Sequence, residues 1–306
     1  MESQSGRVMT RKTILSQVQP THQRQTHVRC FQVRPAEPGD EAHLVRWLVG
    51  QKKSYVKFSL STLPKWLKEG YGLLAEDATG FVGFLLCIRT AGHFATVSGL
   101  AVDALWDAEE VVRALIQRAM PALRRQGLST LTCVTAADWL KHALSAADFQ
   151  SIGHLASYVK RGWDIPEPGN RSVVVRPCRR ADLSDLLDVD RAAFVPLWRY
   201  DEALMLFSVE ESEFFLCAVH DARAVAYVCG TRSQEFGHIH RLVVHPDFQG
   251  RDIAKRLLAE SISHFRHRDV HIITLNTQTD NLISRQLYEH YGFELLNCDM
   301  EIFARH

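Results

Sequence analysis

The chain has 306 residues, of which 46% are hydrophobic and 23% are charged, as is usual for folded globular proteins. This composition excludes a mostly disordered chain, a collagen and a coiled coil. The sequence contains no apolar run of about 18 residues, so it does not predict a membrane span. The 36 Lys and Arg nearly balance the 35 Asp and Glu, so charge gives no indication of a nucleic-acid partner. The length favours two domains.

Residues 1–29 are polar and lack a sustained hydrophobic period, so we expect a flexible leader outside the fold. They contain no apolar core of a secretion signal. The seven cysteines lie mostly in apolar runs and form no CxxC pair. This favours buried free thiols and a cytoplasmic location. His264, His267 and His271 come near to a metal-ligand spacing, but they fall at the end of a predicted helix, and we expect no metal site.

From Phe31 onward the sequence repeats itself, mostly with an offset of 142 residues. Each copy begins with a short strand, a turn and a helix that starts at an Asp. Two strands joined by a turn follow, then a third strand, a long helix, a strand, a second helix and a last strand. The predicted strands are Val33–Pro35, Gly72–Glu76, Phe81–Arg89, Gly99–Val102, Ser129–Thr135, Val175–Pro177, Phe214–His220, Ala224–Gly230, Arg241–Val244 and His271–Asn276, and the predicted long helices are Ala108–Gln126 and Ile253–Phe265.

The repeat predicts an α/β protein of the mixed (α+β) kind, with two tandem domains. Each domain has a mixed central sheet flanked by helices. We expect the first domain to span 30–162 and the second 173–306, joined by a Pro- and Gly-containing linker at 163–172.

The segment Ile239–Leu258 carries the clearest chemical signal. A buried strand ends at Val244, a turn containing Pro246 and Gly250 follows, and an amphipathic helix begins. A strand that leads through a tight turn into a helix presents unpaired backbone N–H groups and the positive end of the helix dipole. Such an arrangement suits a phosphate or pyrophosphate, although many α/β connections are similar.

Two motifs in the second copy resemble the signatures of GNAT-family N-acetyltransferases. Gln249 and Ala254 match the ends of the family's acetyl-CoA pyrophosphate loop, Gln/Arg-x-x-Gly-x-Gly/Ala, whereas Asp252 stands where its first Gly is expected. Further on, Asn281 and the run Leu287–Phe293 resemble the second signature, Asn-x(5)-Leu-Tyr-x-x-x-Gly-Phe. The resemblance covers 173–306 well, and it covers 31–162 only through the internal repeat.

The resemblance implies a fold of acyl-CoA N-acyltransferase type with acetyl-CoA as co-substrate and no metal. It also implies a place for each matching residue. The strand at Leu242, Val243 and Val244 would separate from its neighbour and bond the pantetheine arm, which Asn281 would also contact. Tyr288 would protonate the departing thiolate. The pyrophosphate would be held by the backbone of Gln249, Gly250, Arg251, Asp252, Ile253 and Ala254. We expect the Asp252 side chain to face solvent, where it would act as a helix-dipole partner.

Acyl transfer to an amine also requires a base. Many family members place a catalytic Glu on the strand that leads to the loop, where this chain has His238. An imidazole with a near-neutral pKa could do the same work, directly or through a water. His240 and Glu235 are the alternatives, and a half-exposed polar strand is an equally good interpretation of these residues.

The acceptor side is expected in the loop after the first helix of the second copy. There Trp198, Arg199 and Tyr200 combine aromatic rings with a guanidinium group, which could orient an acceptor with a carboxylate or a planar group. The competing interpretation is that Trp198 and Tyr200 simply pack between two helices.

The first copy lacks the matching chemistry. Asp107, Glu109 and Glu110 fall where the pyrophosphate loop is expected, and their negative charges would repel a pyrophosphate. Ala137 and Leu144 stand at the positions of Asn281 and Tyr288. We therefore expect a degenerate, structural first domain, an organisation that resembles mycothiol synthase-like members.

The sequence thus predicts an N-acetyltransferase that acts by direct attack in a ternary complex. The acceptor is a small-molecule amine or a peptide N-terminus, and no nucleic acid or membrane is expected to take part. A non-catalytic acyl-CoA sensor or scaffold is the alternative, and the oligomeric state is left open.

Overall fold

The structure, a computed structural model, describes residues 30–233, 235–298 and 300–306. The predicted leader at 1–29 lies outside the described residues. We call residues 31–162 the first half and 173–306 the second half; both belong to one compact unit, Phe31–His306. The elements of the first half are β1 (Gln32–Pro35), α1 (Glu41–Val49), β2 (Lys53–Val56), α2 (Leu63–Glu69), β3 (Tyr71–Asp77), β4 (Gly80–Arg89), β5 (Phe94–Val102), α3 (Ala108–Arg125), β6 (Thr130–Thr135), α4 (Asp138–Ala146) and β7 (Gln150–Arg161).

The second half repeats this order with two differences: its described residues have no strand at the position of β2, and a short extra strand precedes its last strand. Each half also contains a short helix, α2 or α6, that the repeat did not predict. The elements of the second half are β8 (Val174–Pro177), α5 (Leu183–Ala193), α6 (Glu202–Glu211), β9 (Phe214–His220), β10 (Arg223–Ser233), β11 (Phe236–Val244), α7 (Ile253–Arg266), β12 (Ile272–Gln278), α8 (Leu282–His290), β13 (Glu294–Leu295) and β14 (Met300–Arg305).

The predicted fold class is confirmed, and in the described part of the chain the two expected sheets are joined into one of 14 strands. The order is β1-β3-β4-β5-β6-β14-β7-β12-β11-β10-β9-β8, with β2 on β5 and β13 on β7. Most neighbours are antiparallel, but β5–β6 and β11–β12 are parallel, as expected for strands joined by the crossover helices α3 and α7. The division into two domains at 163–172 stays a prediction.

The last strand of each half lies beside the other half. β14 pairs with β6, and β7 pairs with β12 over seven residue pairs. The side chains follow this exchange, since Phe303 of β14 packs in the core of the first half under α3. Likewise Ala156 and Tyr158 of β7 pack in the core of the second half under α7. Each half therefore completes its core with a strand of the other.

Local sequence explains the helices that follow the parallel strands. α3 buries a stripe at Val111, Leu115 and Ala119, and Asp107 caps its first turn by accepting a hydrogen bond from the Glu109 N–H at 2.8 Å. α7 buries the corresponding stripe. Because helices cover both faces of the sheet, β4 is buried almost throughout, which explains its continuous apolar sequence. None of the helices in the described ranges has the length and apolar character of a membrane span.

Candidate active site

A cleft opens in the second half where β11 and β12 separate. Their parallel pairing ends at Ile239 and Leu275, so the last residues of β11 have no strand on that side within the described part of the chain. The cleft has a volume of about 520 Å³. Nine residues of the predicted co-substrate site line it, namely Leu242, Val243, Val244, Gln249, Gly250, Asp252, Ile253, Ala254 and Asn281.

A β-bulge in β11 marks the start of the cleft. Arg241 lies opposite Cys229 of β10, but the next pair is Ile239 with Gly230, so His240 is an additional residue. A bulge bends its strand and increases the local twist. It stands where β11 leaves β12, which makes it the structural cause of their separation.

The turn after β11 carries two left-handed residues before α7. Gly250 has φ +70° and Asp252 has φ +56°. Asp tolerates this conformation better than most residues, which explains how it can replace the Gly of the motif. Asp252 makes no side-chain cap bond to α7, so the N–H groups of the first turn stay available to a ligand. Arg251, the remaining predicted residue, is exposed outside the cleft and bonds the Asp247 carbonyl at 3.0 Å.

Charges at the mouth of the cleft are balanced around one lysine. Lys255 Nζ lies 2.9 Å from Glu167 Oε1 and 3.1 Å from Asp252 Oδ1. Hydrogen bonding to the two carboxylates raises the pKa of Lys255. The Asp252 side chain is 58% exposed, as expected, and its ion pair with Lys255 offsets the repulsion that a phosphate would meet.

Asn281 and Tyr288 lie at opposite ends of α8. Asn281 caps the helix by accepting a hydrogen bond from the Ser284 N–H at 3.1 Å, so its amide NH₂ group is left to serve a ligand. Tyr288 is buried, 6% exposed, one turn behind Ser284, which lines the cleft. Burial raises the pKa of Tyr288 to about 12, opposed by a hydrogen bond with Ser284. Its phenol therefore keeps its proton at physiological pH.

The three candidate bases have different surroundings. His238 lies on the paired part of β11, and its Nδ1 is 2.8 Å from Thr274 Oγ1. Burial, together with the neighbouring His240, lowers the pKa of His238 to about 4, below the near-neutral range considered for a base. His240 lies on the bulge with Nε2 2.7 Å from Thr231 Oγ1. Glu235 is exposed in the turn before β11, and the whole paired segment separates it from the cleft.

Of the three predicted acceptor residues, Trp198 ends a 3₁₀ turn at Pro196–Trp198 and Arg199 and Tyr200 follow it, and none of the three lines the cleft. The loop instead contributes Phe194 to the lining. Arg199 Nε donates to the Phe194 carbonyl at 2.8 Å, and the Tyr200 N–H donates to Asp190 Oδ1 at 2.8 Å. Arg199 and Tyr200 therefore hold the loop in shape.

A buried polar cluster that the sequence analysis missed fixes this loop to β11. Arg241 pairs with the fully buried Asp190 at 2.7 Å and donates to the Trp198 carbonyl. Its guanidinium group lies between the rings of Phe194 and Tyr200, 4.1 and 3.8 Å from their centroids. The Tyr227 hydroxyl donates to Asp190, and burial raises the pKa of that tyrosine. One signal could have revealed the cluster: Asp190 occupies a core-facing position of α5, beside Leu186 and Val189.

The equivalent region of the first half is differently built. Asp107 caps α3, so the N–H groups that α7 leaves available are partly satisfied by a carboxylate there. The first half also packs on the second through Trp66 of α2 and Phe207 of α6, whose ring centroids are 5.0 Å apart. The described residues contain no group of three or more His, Cys, Asp or Glu side chains that could hold a metal ion.

Comparisons with known proteins point to the acetyltransferases. Residues 181–293 match the family model for the acetyltransferase (GNAT) family. An uncharacterised N-acetyltransferase of Methanocaldococcus jannaschii is 24% identical over 139 residues, which cover 40% of this chain and 62% of that protein. A second uncharacterised N-acetyltransferase, from Gracilaria tenuistipitata var. liui, is 38% identical over 52 residues, 17% of this chain and 27% of that protein. The chain thus spans less than two thirds of the length of these relatives.

Two solved structures resemble both halves together. A GCN5-related N-acetyltransferase from Sphaerobacter thermophilus has a TM-score of 0.64 at 16% identity, covering 90% of this chain and 95% of that one. A tandem GNAT protein from the clavulanic acid biosynthesis pathway has a TM-score of 0.66 at 16% identity, covering 90% and 98%. At these identities the likeness concerns the fold, and it supports a tandem arrangement.

Proposed function

We propose that this chain, whose residues 181–293 match the family model for the GNAT acetyltransferases, moves an acetyl group from acetyl-CoA to a primary amine at the cleft of its second half. One observation carries the proposal. The open edge of β11 leads directly to the uncapped first turn of α7 along one continuous cleft. A strand edge suits the amide groups of a pantetheine arm, and a helix N-terminus suits a pyrophosphate.

The residues of the cleft would share the binding. The backbone of Leu242 to Val244 would bond the pantetheine arm, and the backbone from Gln249 to Ala254 would hold the pyrophosphate, with Lys255 beside it. The Asn281 amide would orient the arm near the thioester. Acetyl-CoA supplies an activated acetyl carbonyl, and the amine would attack it directly while both substrates are bound.

Two proton transfers would accompany the reaction, one to the leaving sulfur and one from the attacking nitrogen. As the C–S bond breaks, the Tyr288 phenol would give its proton to the leaving sulfur, which its raised pKa suits because the phenol is fully protonated. The amine would attack in its neutral form, after its ammonium group has lost a proton to solvent, and its remaining N–H proton becomes more acidic once the new C–N bond forms. His238 would then accept it through a water, since a base with a pKa of about 4 is too weak to deprotonate a free ammonium group.

A small-molecule amine and a peptide N-terminus both remain candidate acceptors, with the protein acting in the cytoplasm. In the described residues the loop with Trp198 stands beside the cleft and is held in place by Arg241, which favours an acceptor that approaches over this loop. The second candidate function is a non-catalytic acyl-CoA sensor. Two observations favour the sensor. His238 and Tyr288 are not among the residues that line the cleft, and the low pKa of His238 makes it a weak base.

Calorimetric titration with acetyl-CoA and with CoA tests the binding site. We expect micromolar binding in the wild type and a loss of at least 100-fold in Gly250→Trp, because the new side chain would fill the cleft. Gly127→Trp is the matched control. Gly127 also has a positive φ, +78°, and open space around it, but it lies at the end of α3. Gly127→Trp should therefore introduce a similar backbone strain without changing CoA binding.

Turnover distinguishes the two candidate functions. Release of the CoA thiol in the presence of a panel of amines and peptides should be detectable for at least one acceptor. Tight binding of acetyl-CoA without any release would favour the sensor. No binding of acetyl-CoA or CoA would refute both.

A further inference from the structure

The first half contains the same gap between parallel strands, but its own chain fills it. β5 and β6 pair only from Phe94 to Thr96, the positions equivalent to the paired part of β11 and β12. Beyond that point β2 lies along β5 as an antiparallel strand, with Tyr55 opposite Leu100 and Lys53 opposite Val102. The Tyr55 hydroxyl then reaches across the gap and donates to the Val134 carbonyl of β6 at 2.7 Å.

We propose that β2 is an internal substitute for the pantetheine arm, which closes the first half to acyl-CoA. Leu100 to Val102 are equivalent to Leu242 to Val244 by the 142-residue offset. Their outer edge is already hydrogen-bonded to β2, whereas none of the described strands pairs with the same edge in the second half. The chain therefore binds one CoA, whatever the charge of the residues around α3. The part of this inference that concerns the second half rests on the proposed function.

The loops at equivalent positions of the two halves lie in different places relative to the gap. By the same offset, Lys53–Val56 is equivalent to the segment 195–198, which contains the 3₁₀ turn and Trp198. In the second half this segment does not enter the gap, because Arg241 binds the Trp198 carbonyl and stacks between Phe194 and Tyr200. Arg241 is therefore a positioning residue that holds the loop beside the cleft.

The first half has no such clamp because three buried residues differ. Gly99 stands at the position of Arg241, and Leu48 stands at that of Asp190. Sheet register places Phe84 where the second half has Tyr227. The space above Gly99 is closed, since a Cβ there would lie 2.8 Å from Phe84 Cε1 and 3.0 Å from Phe58 Cε1. An Arg at this position would expel Phe58, and with it the loop that continues β2.

Stoichiometry tests the closure of the first half. In calorimetry with CoA we expect one site in the wild type and none in Gly250→Trp. Two sites in the wild type, or one site that survives in Gly250→Trp, would overturn the inference. If the wild type binds no CoA, the proposed function of the second half fails. In that case hydrogen exchange tests the closure of the first half independently.

Hydrogen exchange of the ligand-free protein measures the occupancy of the gap directly. Peptides that contain Lys53–Val56 and Gly99–Val102 should be protected before CoA is added and should not change afterwards. Peptides that contain Arg241–Val244 should gain protection with CoA. Fast exchange of Lys53–Val56 in the free protein would show that β2 does not occupy the gap, as would its release when CoA is added.

A triple variant tests the clamp. Asp190→Leu, Tyr227→Phe and Arg241→Gly together give the second half the buried residues of the first. We expect the loop at 194–200 to lose its fixed position and CoA affinity to fall at least 10-fold, with the first half unchanged in hydrogen exchange. Wild-type affinity in a folded triple variant would overturn the role of Arg241. Should that variant not fold, Arg241→Lys keeps the charge but not the stacking, and unchanged exchange of the loop would equally refute the clamp.

Discussion

The two halves of this protein share one fold but differ in the use of one gap between parallel strands. In the first half β2 fills the gap and Asp107 caps the following helix. In the second half no strand of the described residues fills the gap, and the helix that follows has no side-chain cap. On the proposed assignment, the ligand site of this fold consists of backbone groups left without partners, and a few residues of loop are enough to remove it.

Keeping the gap open has a structural cost. The first half packs apolar residues under its loop, whereas the second half buries an ion pair and a phenol. Buried charges are tolerated only when they are paired and hydrogen-bonded, and the loss of one partner is strongly destabilising. The second half should therefore respond more sharply than the first to changes at these positions.

The largest expected effect comes from Arg241→Met. It leaves the fully buried Asp190 without its cation, so we expect the free energy of unfolding to fall by about 3–5 kcal/mol. Denaturant titration measures it. Arg161→Met is the control, because its ion pair with Glu294 is 65% and 76% exposed and should contribute less than about 1 kcal/mol.

A double-mutant cycle sharpens this result. Asp190→Leu with Arg241→Met restores the apolar character that the first half has there, so the double variant should regain much of the loss. If Arg241→Met costs no more than Arg161→Met, the cluster does not hold the loop.

The next effect is on turnover in Tyr288→Phe. The first half has Leu144 at this position, and the proposed acid catalysis should be absent without the phenol. We expect turnover to fall about 100-fold or more, with CoA affinity nearly unchanged. The assay is thiol release with an acceptor found by screening, and Tyr71→Phe in the first half is the control. Unchanged turnover in Tyr288→Phe would rule out the acid role.

A smaller effect concerns pH and His238, whose counterpart in the first half is Thr96. The folded pKa of about 4 lies below the unfolded value near 6.5, so the neutral ring favours folding. This contribution is complete above pH 6.5 and is lost progressively as the pH falls towards 4. Between pH 7 and pH 5 we expect His238 to account for a fall of about 1–2 kcal/mol in the free energy of unfolding. In His238→Gln that part of the pH dependence should disappear, and an unchanged slope would contradict the lowered pKa.

The smallest expected effect is at Asp252, whose counterpart is Glu110. Asp252→Asn removes a charge near the proposed phosphate site, and Asn also tolerates the left-handed conformation. We expect CoA affinity to rise about two- to fivefold at low salt and less at high salt. Glu110→Gln should have no effect. Weaker binding in Asp252→Asn would mean that the carboxylate serves mainly to position Lys255.

Sequence patterns predicted the parts of the fold that depend on local order. The internal repeat identified nearly all the strands, and the Gln249–Ala254 and Asn281–Phe293 motifs predicted residues that the structure brings to one cleft. The patterns could not predict β2, because Lys53–Val56 is short and half polar and becomes a strand only when β5 lies beside it. The exchange of β7 and β14 was equally inaccessible, since the same apolar alternation fits either half.

The low pKa of His238 and the cluster around Arg241 depend on burial and on neighbours far apart in the chain. Asp190 and Arg241 are 51 residues apart, and a sequence shows each as an ordinary charged residue. Only the packing of α5 on β11 brings them together without water.

The exchanged strands bear on how the chain folds during synthesis. β6 remains an edge until β14 pairs with it, and β14 is made only at Met300–Arg305. A strand edge of the first half thus stays unpaired while the following 160 or so residues emerge from the ribosome at about 5–20 residues per second. For roughly ten seconds or more the nascent chain offers a template for pairing with another nascent chain. A synonymous change that stalls translation shortly before codon 300 should accordingly increase aggregation without altering the protein.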